Sequence, residues 1–133
     1  GHYDQAAAAF RAALDYWTQS GAQSPLLVPL VGQTVEALLK ARDYAKACAF
    51  AAEQIKTSPG RTQFVGPPIR EYVDRLVTDG KIARDPQKLK DALQLIDLAK
   101  AIDPPLEKTV LADLDQLKLD ADRAIKSLPA TRP

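Results

Sequence analysis

The sequence predicts an all-α fold built from successive helix hairpins, and three observations carry that prediction. Proline and glycine cluster at Gly21 to Pro29, Pro59 to Pro68, Gly80 to Pro86 and Pro104-Pro105, with helical periodicity between the clusters. Within each interval apolar side chains recur at steps of three and four, which gives each segment one face to bury. The same order of small, large and closing positions returns three times along the chain. With 133 residues, the chain is long enough to bury a continuous core without disulfides or metals.

Six helices follow from the spacing. The first runs from about Tyr3 to Thr18, with Ala6, Phe10, Ala13, Leu14 and Trp17 on one face, and stops before Gly21. The second runs from Pro25 or Pro29 to about Ala41, with Ser24 as its N-cap and Pro25 suited to the first helical position. Almost no loop separates it from the third, which Asp43 caps and which buries Tyr44, Ala47, Cys48, Ala51 and Ile55 before Ser58-Pro59-Gly60 stops it. The fourth begins near Pro67-Pro68 and carries Ile69, Val73, Leu76 and Val77 to Gly80 or a turn beyond; Phe64 and Val65 fall in the loop before it. Asp85-Pro86 opens the fifth, which buries Leu89, Ala92, Leu93, Ile96, Ala99 and Ile102 and ends at Asp103-Pro104-Pro105. The sixth, from about Pro105 to Ser127, spaces Val110, Leu114, Leu117, Ala121, Ala124 and Leu128 by four and three and leaves Asp113, Asp120, Asp122, Arg123 and Lys126 on its wet side.

The repeat emerges when Tyr3, Ala6, Phe10 and Ala13 are set beside Tyr44, Ala47, Ala51, Gln54 and Pro59, and beside Leu89, Ala92, Ile96, Ala99 and Pro104. An alanine one turn after Tyr or Leu lets a neighbouring helix approach while the larger residue fills the space above it. This pattern resembles the second helix of the tetratricopeptide repeat, and Gly1-His2-Tyr3-Asp4 and Arg42-Asp43-Tyr44-Ala45 resemble the turn that introduces it. The alanines stand 41 and 45 residues apart, against about 34 in that family, so the linkers are enlarged and the chain reads as a divergent member. The resemblance implies a right-handed α-solenoid of antiparallel helix hairpins. Its parts are a half-repeat over 1–20, hairpins over 24–59 and 66–104, and a polar capping helix over 105–128. It also implies that Tyr3 to Thr18 is the second helix of a hairpin whose first helix lies upstream of Gly1, making the chain a piece of a longer array.

Composition excludes several classes of function. The chain is 46% hydrophobic, 26% charged and carries a formal net charge of +1, with no basic stripe to hold nucleic acid or an anionic membrane. Its apolar runs, such as Pro25 to Val31, fall far short of the ~20 residues that span a bilayer, so a soluble protein is expected. Cys48 has no second cysteine to pair with, which leans toward a reducing compartment. The absence of Asn removes N-linked glycosylation signals.

Catalytic parts are scarce. His2 is the single histidine, so histidine triads and histidine-rich metal sites are not expected. Cys48, on an apolar helix face, reads as core rather than a reactive thiol. Gly60 and Gly66 do not form a phosphate-binding loop, and Asp113, Asp115, Asp120 and Asp122 lack a cation-loop grammar and read as a solvated helix face. No enzyme, cofactor or metal is expected.

What remains is binding. In the resembled family the first helix of each hairpin lines a concave groove that receives an extended peptide or a partner helix. Carried onto this chain, the groove residues are Gln33, Glu36 and Lys40 of the second helix and Arg70, Asp74 and Thr78 of the fourth. The chaperone-clamping version of that groove uses asparagine, which this chain lacks, although Lys40 and Arg70 can still meet an acidic peptide. The expected function is a protein-interaction scaffold. The alternative is a structural or self-assembly module, a homodimer through the stripe of Phe10, Leu14 and Trp17 left bare by the missing upstream helix.

Overall fold

The computed structural model describes residues 2–19 and 27–128, and among these it is all-helical with no strand. The helices are α1 (Tyr3–Gln19), α2 (Leu27–Lys40), α3 (Tyr44–Thr57), α4 (Thr62–Ala83), α5 (Pro86–Lys100) and α6 (Lys108–Ser127). The expected cap Ser24 and its Pro25 lie outside the described residues. Asp43 caps α3 by accepting from the Lys46 amide at 3.4 Å, and Asp85 caps α5 by accepting from the Gln87 amide at 2.9 Å with Pro86 at the first position.

Helix α4 departs furthest from its expected bounds. It begins at Thr62, after a 3-10 turn at Pro59–Arg61, and Pro67 and Pro68 lie inside it rather than at its start. Each proline removes a donor, from the carbonyls of Gln63 and Phe64 respectively, but burial outweighs that loss. Val65 and Gly66 are buried in the core and Phe64 packs half-buried against it, all of them within α4 rather than in a loop before it. At the other end, α6 starts at Lys108 rather than near Pro105, although Leu106 ahead of it is already buried.

Helix directions follow from the side-chain pairings. Tyr3 at the start of α1 meets Lys40 at the end of α2, so these two are antiparallel. Lys100 and Asp97 of α5 pair with Asp115 and Lys118 of α6 in the reverse order, which makes α5 and α6 antiparallel as well. A Cβ on Gly66 would stand 3.1 Å from Val110, Arg70 pairs with Asp113 and Lys81 with Asp120, so α4 and α6 run side by side in one direction. Arg11 of α1 reaches Glu53 of α3 at 2.7 Å, and Tyr44 of α3 reaches Asp91 of α5. The even-numbered helices thus form one row and the odd-numbered ones another. Between the rows lie Val31, Val35, Leu39, Ile69, Val73, Val77, Leu95 and Ile96, all buried in one cluster.

Two turns recur. Arg42 and Arg84, 42 residues apart in sequence, both take the left-handed conformation at φ 63° and 52°. Each is followed by the capping aspartate, whose amide reaches back five residues, from Asp43 to the Leu38 carbonyl at 3.0 Å and from Asp85 to the Gly80 carbonyl at 2.9 Å. The caps therefore set a register of 42, against the 45 that separates Ala47 from Ala92. Three residues are about one helical turn, so both alanines still face the core and are fully buried. Ala6 is half-buried; its neighbour Ala7 takes the deeper place in α1.

Candidate partner-binding face

The outward sides of α2, α4 and α6 build the candidate face. Each helix turns its Val, Ile and Leu stripe to the core, which leaves the polar residues of the opposite side in solvent. Three shallow depressions follow the seams. One of about 260 Å³ lies between α1 and α2 and takes in Tyr3, Phe10, Glu36 and Lys40. A second of about 280 Å³ lies between α2 and α4, where Gln33 and Glu36 face Glu71 and Arg75. The third, about 330 Å³, lies between α4 and α6, where Arg70 and Asp74 face Asp113 and Gln116.

Five of the six sequence-derived groove residues therefore line this face. Thr78 is exposed one turn beyond Asp74 and lines none of the three depressions. Glu71, Arg75, Asp113 and Gln116 join them unanticipated. The i, i+4 pattern of Arg70-Asp74 and Glu71-Arg75 was the available signal on α4, whereas Asp113 and Gln116 become neighbours only through α4–α6 packing.

The electrostatics are locally balanced. Lys40 Nζ donates to Glu36 at 2.8 Å, and this hydrogen bond is the main reason its pKa is raised; Arg75 acts in the opposite direction. Arg70 pairs with Asp113 at 3.4 Å. Such exposed pairs contribute little to stability, ~0–1 kcal/mol each, so an incoming partner can exchange them at small cost.

The proposed self-association stripe needs correction. Leu14 is only 1% exposed and belongs to the core, because α1 lays that stripe on α2. Phe10 is half-buried at the α1–α2 seam, and the side chain of Trp17 lies outside the described residues. Tyr16, at 67% exposure, and Tyr3, at 46%, are the large exposed aromatic groups of α1.

One buried polar cluster went unforeseen. Asp91 of α5, 7% exposed, accepts from Arg42 at 2.7 Å, from Gln87 at 2.8 Å and from the Tyr44 hydroxyl at 3.3 Å. Burial, then Tyr72 and Asp91, raises the Tyr44 pKa above its ordinary value. The cluster ties α5 to the α2–α3 turn. Cys48 is buried too, and burial pushes its thiol up to about 11, which keeps it protonated at neutral pH.

Among the described residues no three of His, Cys, Asp and Glu stand together as a metal site, and no helix is long and apolar enough to cross a membrane. Comparison with protein-family models, with curated proteins and with solved structures finds no match.

Proposed function

We propose that this chain is a non-catalytic scaffold that receives an extended peptide or a partner helix across the α2–α4–α6 face. On this reading the fold is a divergent right-handed solenoid of tetratricopeptide-like hairpins, with α6 as its capping helix. The observation that carries the proposal is the convergence of Gln33, Glu36, Arg70 and Asp74 with Glu71, Arg75 and Asp113 on adjoining depressions of one face. None of them serves the core, and their weak mutual pairs are replaceable by a partner's backbone and charged groups. The repeated left-handed turns and the close helix approaches at Gly66 and Gly80 support the repeat reading.

The test is capture of partners from a lysate of the source cells, followed by quantitative binding of the captured partner to two variants. One carries Glu36→Lys with Lys40→Glu, the other Arg70→Asp with Asp74→Arg. Each should weaken binding at least tenfold while the melting temperature stays nearly constant, as surface changes rarely exceed ~0.5 kcal/mol. Unchanged affinity in both variants would move the interface to another face. Self-assembly through α1 keeps the exposed Tyr3 and Tyr16 and the half-buried Phe10 but loses Leu14 to the core. A monomer by sedimentation at high concentration would remove it.

A further inference from the structure

We propose that the edge formed by the end of α4, the first turn of α5 and the last turns of α6 is a second docking site, filled by an acidic amphipathic helix of a partner protein that presents a carboxylate to Arg84. This site shares no side chain with the depressions of the α2–α4–α6 face, and its proposal stands independently of that face.

The molecule already holds one filled copy of the arrangement. At the α2–α3 turn, Arg42 in the left-handed conformation donates to Asp91, and Tyr44 adds a second donor to the same carboxylate oxygen. Helix α5 is thereby seated on the first hairpin through a carboxylate in its second turn. Forty-two residues on, Arg84 adopts the same conformation, is followed by the same capping aspartate and is closed by the same five-residue backbone bond. Its guanidinium meets no carboxylate among the described residues.

Instead Arg84 lines a depression of about 420 Å³ together with Lys81 and Arg123, with Leu89 and Ala124 between them. Lys81 lies 3.7 Å from Asp120, and Arg123 has no ionic partner among the described residues. Three cations therefore face one carboxylate, on a chain whose net charge is only +1. That surplus calls for negative charge, and the apolar side chains among the cations call for an apolar stripe. Helix α5 offers both to Arg42, so it is the template for what Arg84 would take. The occupant with that charge and that stripe is assigned to a partner chain, on charge complementarity.

The probe is a fluorescently labelled peptide with the sequence of residues 85–103, titrated with the full chain at low ionic strength and followed by anisotropy. Saturable binding is expected. It should fall at least about fivefold when the peptide carries Asp91→Asn, as loss of a hydrogen bond to a charged group predicts. Arg84→Gly in the protein should cause an equal fall, with little further loss when the two changes are combined. Glycine accepts φ 52° without strain, so this variant keeps its fold, which its thermal melt checks. Absence of saturable binding at about 1 mM peptide, or equal affinity in all four combinations, overturns the proposal. So does binding that responds to Arg42→Gly but not to Arg84→Gly, which would mean that the peptide merely replaces α5. Sedimentation of the unliganded chain is the last arm: a dimer abolished by Arg84→Gly would overturn the assignment to a partner protein in favour of a second copy.

Discussion

The hairpin of α2 with α3 and the hairpin of α4 with α5 make the same turn from the same residues, yet they carry their bulk on opposite helices. Counted from the turns, Leu38 in the first hairpin corresponds to Gly80 in the second, and Ala47 corresponds to Leu89. The large residue sits on the helix before the turn in one case and on the helix after it in the other. A Cβ on Gly80 would stand 2.9 Å from the Leu89 side chain, so the second hairpin closes only because that position has none. The lesson is that the space between two helices constrains the sum of volumes more tightly than the identity of either residue. A second contrast lies in the arginines, for Arg42 is spent on Asp91 inside the molecule while Arg84 faces the open edge.

Making the bulk equal in the two hairpins has the largest expected effect. Gly80→Leu should overpack the α4–α5 crossing and cost about 3 kcal/mol. Adding Leu89→Ala, which recreates the Leu and Ala order of the first hairpin, should recover at least half of that in denaturant melts. Failure of the second change to rescue the first would mean that the two crossings are not equivalent.

Alkaline pH should separate the hairpins next. Cys48 belongs to the first hairpin alone, since Lys90 occupies the corresponding position of the second. Its thiol rises from an ordinary 9.0 to about 11, so the unfolded chain ionises first. The associated stability is fully present below pH 9.0 and is lost as pH climbs through about 11. Two units correspond to at most about 2–3 kcal/mol. Tyr44, also raised, prolongs the decline above its ordinary value of 10.0. Thermal melts of Cys48→Ala should show a flatter decline between pH 9.0 and 10.0 than the unsubstituted chain.

Asp91→Ala comes third. It strips Arg42, Gln87 and the Tyr44 hydroxyl of their shared acceptor and should cost about 2 kcal/mol. Hydrogen exchange should loosen at the α3–α5 junction before the α4–α5 turn responds. A uniform loss across both hairpins would refute the cluster as the specific tie between α3 and α5.

The smallest effect is the most discriminating. Glycine suits both left-handed positions, so Arg84→Gly should leave stability unchanged or raise it by up to ~1 kcal/mol. Arg42→Gly gains the same backbone relief but forfeits the bond to Asp91, and should melt below Arg84→Gly in a matched comparison. Equal effects would show that the Arg42 contact contributes nothing net.

Sequence alone established the helices and most of their ends. Asp43 and Asp85 announced two starts because a cap is a local bond between a side chain and an amide two or three residues away. The buried stripes of α3 to α6 were legible because a period of three to four is a property of one helix. The same local reasoning misread Pro67-Pro68 as a start, since the close approach of Gly66 to Val110 involves α6, some forty residues away. Likewise the outward polar residues of α2 and α4 could be named, but not that Glu71 and Arg75 share their seam or that Asp113 stands opposite Arg70. Tertiary structure alone decided the burial of Leu14, the bond from Arg42 to Asp91 across 49 residues and the open state of Arg84. The reason is physical: periodicity and capping are encoded within a few residues, whereas which helix covers which face is settled by volumes and charges that meet only when the chain has packed.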